Sequence, residues 1–326
     1  MTGSGVPMKL WTDDIEAMRP EAREAVRSGF DVINEMIGVD ETSVPADSLE
    51  RVALARTQFA RMYAPVPEAI DREIAGVPCR LFLPDEPASA VYLHFHGGGM
   101  ILGAPVMNDL GNRDLCKRFG MAVVSVDYPL APEHPFPAGP DDCLAVAAWL
   151  VEHGERVLGS DRVLVGGESA GGYLAALVPL RMRDELGAID RVVGLNLVFG
   201  VYDWGRSPSQ RGIRPHDGPD VLDPEGIEHF TNAYLPARSD DERRDPSISP
   251  LYADLRGMPP ALMSVGTCDH LVDDTLMLAA RWTAAGNELD LFVAPDMPHG
   301  FMAYPCEMTD AWFARTHQWI GELLAR

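Results

Sequence analysis

A run of strand-forming residues, Val163-Leu-Val165, leads into Gly167-Glu168-Ser169-Ala170-Gly171, and a helix-forming stretch from Ala170 to Arg183 leads out. Few chain paths satisfy that order. Strand, turn and helix meet within a few residues, so the backbone passes close to itself near Gly167 and Gly171, where a Cβ would clash. The G-x-S-x-G spacing matches the sharp strand-to-helix turn that lifts a serine hydroxyl above a sheet. A helix beginning at Ala170 also offers free N–H groups and the positive end of its dipole beside that hydroxyl.

The same alternation continues on both sides of the turn. Val91-Tyr-Leu-His-Phe-His96 alternates and is rich in strand formers, and Met121 to Val126 is an apolar run suited to a parallel strand buried on both faces. Gly194 to Val198, Ala261 to Val265 and Leu289 to Val293 have the same character. Helical stretches are expected between them at Asp109 to Phe119, Pro140 to His153, Ala170 to Leu186, Asp273 to Ala285 and Thr309 to Leu324. Strands alternating with helices imply an α/β class with a doubly wound, mostly parallel sheet. Ile70 to Ile74 and Val77 to Leu83 read as two strands joined at Ala75-Gly76.

Two regions stand outside that rhythm. Residues 1–67 read as helical, with one helix over Asp13 to Phe30 and a second over Leu49 to Tyr63, entered through a cap at Pro45-Ala-Asp-Ser48. Residues 202–249 are rich in Gly, Pro, Asp and Arg, with a helix expected from Glu225 to Tyr234. Insertions of that length are commonly functional. We read residues 1–67 as an N-terminal helical cap segment and 68–326 as the catalytic domain, with 202–249 contributing to the cap.

Charge and cysteines narrow the function classes. A net charge of −22 disfavours nucleic acid and anionic membrane as partners. Cys79, Cys116, Cys143, Cys268 and Cys306 form no C-x-x-C pair, and their odd number and scatter suggest buried, reduced thiols in a cytoplasmic protein. Met1 to Leu10 lacks the apolar core of a signal peptide, and no run reaches the length of a membrane span.

A serine hydroxyl is a weak nucleophile and needs a base. Downstream of Ser169, Asp269 follows the strand ending in Ser264-Val-Gly-Thr-Cys268, and His299 follows the last expected strand. Serine, then acid, then histidine is one of the known chain orders of a catalytic triad. Asp273 and Asp274 compete for the acid role, but their place at the start of a helix suits N-terminal charges. Upstream, His96-Gly97-Gly98-Gly99 follows a strand, and bare glycine backbone lets a carbonyl approach its N–H groups. Gly98, Gly99 and Ala170 are therefore the candidate oxyanion donors. His96 is expected to orient that loop. His94 and His96 share a strand face, but no third ligand lies nearby in sequence, so no metal site is expected.

These residues carry a resemblance. The chain resembles the hormone-sensitive lipase family of α/β-hydrolases, the family IV bacterial carboxylesterases. The matching text is His96-Gly-Gly-Gly99, Asp127-Tyr-Pro-Leu-Ala-Pro-Glu-His-Pro-Phe-Pro-Ala138, Gly167-Glu-Ser-Ala-Gly-Gly172, Ser249-Pro-Leu251, Asp269-His-Leu-Val-Asp-Asp274 and His299-Gly-Phe301. The resemblance implies an eight-stranded sheet, a helical cap, and hydrolysis of short- to medium-chain carboxylic esters without a cofactor. It also implies Ser169, Asp269 and His299 as the triad.

Three positions depart from the family pattern. Glu168 stands where Asp or Thr is usual, Tyr173 where Asn is common, and Pro129 where Arg is common. The last removes an expected ion pair with Glu133. The same machinery would also serve an amidase, arylformamidase or lactonase, and the fold hosts non-catalytic small-molecule receptors that lack the histidine. A monomer and a homodimer through Leu289 to Leu324 are both compatible with the sequence.

Overall fold

Along Val91-Tyr92-Leu93-His94-Phe95, successive side chains enter different cores. Val91, Leu93 and Phe95 belong to one buried cluster and Tyr92 to another. That period of two is what a strand buried on both faces requires. The computed structural model describes residues 9–37, 49–214, 218 and 221–326. Among them are eight strands in one sheet: β1 (Ile70–Ile74), β2 (Val77–Phe82), β3 (Val91–Phe95), β4 (Ala122–Val126), β5 (Val163–Glu168), β6 (Val192–Val198), β7 (Ala261–Gly266) and β8 (Leu289–Ala294). Their order is β1-β2-β4-β3-β5-β6-β7-β8. β2 runs antiparallel to both neighbours, and the remaining pairs are parallel. Ala75 and Gly76, both at positive φ (54° and 81°), make the two-residue turn between β1 and β2.

Ten helices lie among the described residues: α1 (Asp13–Ala17), α2 (Arg19–Ile37), α3 (Leu49–Ala60), α4 (Asp109–Phe119), α5 (Ala138–Leu158), α6 (Ala170–Arg181), α7 (Pro224–Tyr234), α8 (Asp240–Arg243), α9 (Val272–Ala284) and α10 (Glu307–Leu324). One face of the sheet packs with α5, α6 and α9, through residues such as Val146, Leu174 and Trp282. The other packs with α4 and α10, through Cys116, Trp319 and Ile320. Every residue from Ala170 to Leu180 is buried. A helix apolar all round can only sit inside the layers, and α6 does.

The expected single helix over residues 13–30 is two helices. Thr12 caps α1, and the chain breaks at Met18. Pro20 has no N–H to continue the ladder, which interrupts it there. The expected cap at Pro45–Ser48 lies outside the described residues. The helix expected over Ala170 to Leu186 changes to a π turn at Met182–Leu186 before Gly187, which has φ 62°. In the 202–249 segment, α7 begins one residue before the expected start, with Asp223 as its cap. α8 was not expected: four residues give no periodicity, although Ser239 and Glu242 form a capping box.

Two electrostatic expectations change. Glu133 is paired after all. Arg56 of α3 holds it through two 2.9 Å hydrogen bonds, so a guanidinium from the N-terminal segment fills the place opposite that carboxylate. Asp274 is more than a helix-end charge. It is fully buried, and its Oδ1 accepts from the amides of Tyr202 and Asp203 at 2.8 Å each. Its Oδ2 accepts from Ser207 Oγ at 2.6 Å, and Gln210 Nε2 lies 2.9 Å from both oxygens. Burial pushes its pKa up to about 7, against the pull of these donors. Asp273 accepts from the Ser209 amide. The pair fastens residues 202–210 to the start of α9.

Asp109 plays a similar role at the other end of the sheet. Its carboxylate takes both Nε and Nη2 of Arg80 at 2.7 Å and the Val66 amide at 2.8 Å. The Asp109 side chain is 2% exposed and that of Arg80 13%. Removing one partner of such a pair leaves the other charge buried and uncompensated. Asp109→Ala is expected to lower the unfolding free energy by about 3 kcal/mol, read from urea denaturation. A loss below about 1 kcal/mol would show the pair to behave as an exposed one.

Candidate active site

β5 ends at Glu168 and α6 starts at Ala170, so Ser169 alone makes the turn. It does so at φ 57° and ψ −118°, a backbone state that costs a non-glycine residue free energy. Its amide donates to Val198 O, and its carbonyl accepts from the Tyr173 amide, which hold it there. A Cβ on Gly167 or Gly171 would collide with Phe95 O, so both positions require glycine, as the spacing suggested.

His299 Nε2 lies 3.0 Å from Ser169 Oγ, and its Nδ1 lies 2.8 Å from Asp269 Oδ2. Asp269 is 1% exposed, and its second oxygen accepts from the Leu271 amide. The loops carrying the acid and the histidine are hydrogen-bonded together. Thr267 N donates to Ala294 O, Cys268 N to Met297 O, and Asp296 N to Thr267 Oγ1. A Cβ on Gly266 would meet Met297 O, so the end of β7 must be glycine for the histidine loop to lie against it. The three residues expected to act together are thus within hydrogen-bond reach in sequence Ser–His–Asp.

Sequence reading missed Phe199. Its ring meets the His299 imidazole edge to face at 4.7 Å and continues to Phe301 at 5.7 Å. Its φ of 36° is unusual for a bulky residue, and its position just after β6 is the one signal for it.

The glycine loop lies beside the serine. Gly98, Gly99 and Met100 have φ values of 118°, 62° and 65° in succession. Their carbonyls are used: Gly98 O accepts from Ile101 and Leu102, and Met100 O from Ala131. Among the described residues, the amides of Gly98, Gly99 and Ala170 have no hydrogen-bond acceptor. The Phe230 ring of α7 rests on Gly99, where a Cβ would come within 2.6 Å of it.

The three residues expected to support this centre lie around it on different partners. His96 is fully buried, stacks on Tyr128 at 4.2 Å, and its Nδ1 lies 2.7 Å from Gly97 O. Tyr128 Oη donates to His96 O. Glu168 accepts from Asn108 Nδ2 at 3.1 Å and lies 3.2 Å from His94 Nε2, whose other nitrogen faces Ser125 Oγ at 2.7 Å. The two histidines that share the end of β3 are therefore engaged by separate partners. Among the described residues, no group of three or more His, Cys, Asp or Glu side chains is placed to hold a metal ion. Tyr173 is buried under α7, its hydroxyl 3.1 Å from that of Tyr234, with Trp204 edge to face at 5.2 Å.

Burial pushes the His96 pKa down to about 3, so the ring is neutral and its Nδ1 carries the proton given to Gly97 O. An unfolded histidine titrates near 6.5, so below that pH the unfolded chain takes up a proton that the folded one refuses. The resulting stability is complete above pH 6.5 and falls by about 1.4 kcal/mol per unit below it, until the folded pKa is reached. Between pH 7.5 and 5.5, the fall in unfolding free energy is expected to be about 1.4 kcal/mol smaller in His96→Asn than in the unaltered chain. Equal falls would mean that His96 is not held neutral.

An alpha/beta hydrolase fold profile matches residues 92–303. Carboxylesterase NlhH of Mycobacterium tuberculosis is 32% identical over 298 residues, covering 85% of this chain and 90% of that protein. An ethyl acetate hydrolase of Pseudomonas putida is 32% identical over 233 residues, covering 69% of this chain and 71% of the relative. Among solved structures, a hormone-sensitive lipase from a metagenome library superposes with a TM-score of 0.76 at 29% identity, covering 91% of this chain and 98% of that one. With relatives of that identity aligned along most of its length, the chain belongs to the hormone-sensitive lipase-like carboxylesterases of the alpha/beta hydrolase fold.

Proposed function

We propose that the protein hydrolyses short- to medium-chain carboxylic esters through an acyl-enzyme on Ser169. The observation that carries this reading is the unbroken chain Asp269–His299–Ser169, with contacts of 2.8 and 3.0 Å, beside three backbone amides with no acceptor among the described residues. His299 Nε2 takes the Ser169 proton as Oγ attacks the ester carbonyl. Asp269 fixes the tautomer through Nδ1 and stabilises the imidazolium. Gly98, Gly99 and Ala170 donate to the oxyanion, where each donor is worth about 3 kcal/mol of transition-state stabilisation. His299 then protonates the departing alcohol. Water, deprotonated by the same nitrogen, releases the acid and restores Ser169.

A small substrate fits the aromatic roof. Phe230 lies on Gly99, and Tyr173, Trp204 and Tyr234 fill the space beneath α7. The P. putida relative is named for ethyl acetate, and a Salmonella relative is named acetyl esterase. We read α2, α3 and α7 as the cap. Cys79, Cys116, Cys143, Cys268 and Cys306 are all buried, which suits reduced thiols in a cytoplasm. No helix among the described residues is long and apolar enough to cross a membrane.

Hydrolysis of p-nitrophenyl esters from C2 to C16 tests the reading. Activity is expected to peak at short or middle chains and to fall by about 10⁴-fold or more in Ser169→Ala. Retained activity in that variant would overturn the assignment. Phe230→Ala is expected to raise kcat/KM for C8–C10 relative to C2–C4 by about tenfold, because each methylene accommodated in an apolar pocket is worth about 1 kcal/mol or more. An unchanged profile would place the acyl chain elsewhere.

A further inference from the structure

Arg56, on the N-terminal helix α3, reaches into the loop that carries the oxyanion donors. Its Nε donates to Ile101 O at 2.7 Å, its Nη2 to Ala131 O at 2.7 Å, and its outer nitrogens to Glu133. Both carbonyls sit next to bonds that shape the donor loop: Ile101 N donates to Gly98 O, and Ala131 N donates to Met100 O. Met100 is a fully buried non-glycine residue at φ 65°. Such a conformation persists only where the surroundings over-determine it. One guanidinium therefore closes a ring of contacts around the strained end of the loop, with its charge balanced by Glu133. A planar fork can satisfy two carbonyls and a carboxylate at once, which an ammonium cannot.

We infer that Arg56 is a positioning residue for ester hydrolysis: it holds the Gly98 and Gly99 amides on the oxyanion from a segment that lies outside the catalytic domain. The inference rests on the function proposed above. A donor loop displaced by a fraction of an ångström loses transition-state binding while the ground-state ester, held by the pocket, is little affected. The loss belongs in kcat and not in KM.

The test uses the full chain with p-nitrophenyl acetate and an aryl trifluoromethyl ketone, whose tetrahedral hemiketal with Ser169 places an oxyanion in the same site. Arg56→Met is expected to lower kcat by about 10- to 100-fold with KM changed less than about twofold, and to weaken the ketone by the same factor. Arg56→Lys is expected to recover less than half of that loss on a logarithmic scale. If Arg56→Met does not fold, Arg56→Lys and Glu133→Gln carry the test, each with a kcat loss matched by the ketone. A folded variant with unchanged kcat and unchanged ketone affinity, or one whose loss lies in KM or thermal stability alone, overturns the inference. Ser169→Ala run in parallel keeps the two readings apart. If it stays active, the proposed function fails. If it is inactive while Arg56→Met is fully active, only the role of Arg56 fails.

Discussion

The approach of α6 to the end of β3 is the contact on which the site depends. At Gly171 the first turn of the helix lies so close to Phe95 O that no side chain fits, and Gly97 packs its own Cα against Glu168 O, where a Cβ would stand at 3.1 Å. β3 delivers the glycine loop and β5 delivers Ser169, so this one close contact fixes the distance between the Ser169 hydroxyl and the Gly98 and Gly99 amides. The strain at Ser169 is the cost of making that turn in a single residue, and the hydrogen bonds of its amide and carbonyl to β6 and α6 offset it. Sheet order serves the same end. β3, β5, β6, β7 and β8 are parallel neighbours, so the loops after them emerge on one edge.

The acid–histidine half is built on a separate principle. There, two loops are laced to each other before either meets the serine. The far side of the histidine loop is held by charge: Asp296, three residues before His299, accepts from Arg19 and Arg23 of α2. Phe199 closes the imidazole's apolar side. The two halves touch through the 3.0 Å contact between His299 and Ser169, the bond along which the proposed mechanism moves a proton. Preorganisation of each half on its own scaffold is what lets that bond be short without further rearrangement.

Much of this was legible in the sequence, for reasons that can be named. Gly167 and Gly171 announce themselves because sterics leave no other residue there, and the parallel strands because burial on both faces demands unbroken apolar runs. The chain order of serine, acid and histidine pointed to Ser169, Asp269 and His299, with Asp273 and Asp274 as rivals for the acid. What escaped was long-range and polar. Arg56 lies 77 residues from Glu133, and nothing in either local pattern ties them. Asp274 looks like a helix-end charge in sequence, and only the fold shows that the loop after β6 needs its oxygens. Phe199 carries no motif, and its value comes from where β6 ends.

The hydrogen bond between Ser169 and His299 joins residues 130 positions apart, and the clip between Arg19 and Asp296 spans 277. Chain closures of that length come late, after the local elements have formed. Trp312 of α10 meets Phe301 edge to face and donates to Ser264 Oγ, so that helix packs against the histidine loop. Synthesis makes Ser169 130 residues before His299. Under the proposed mechanism, the nascent chain therefore carries the Ser169 hydroxyl without its base until His299 has been made. Turnover in this protein is a report that the whole chain has closed.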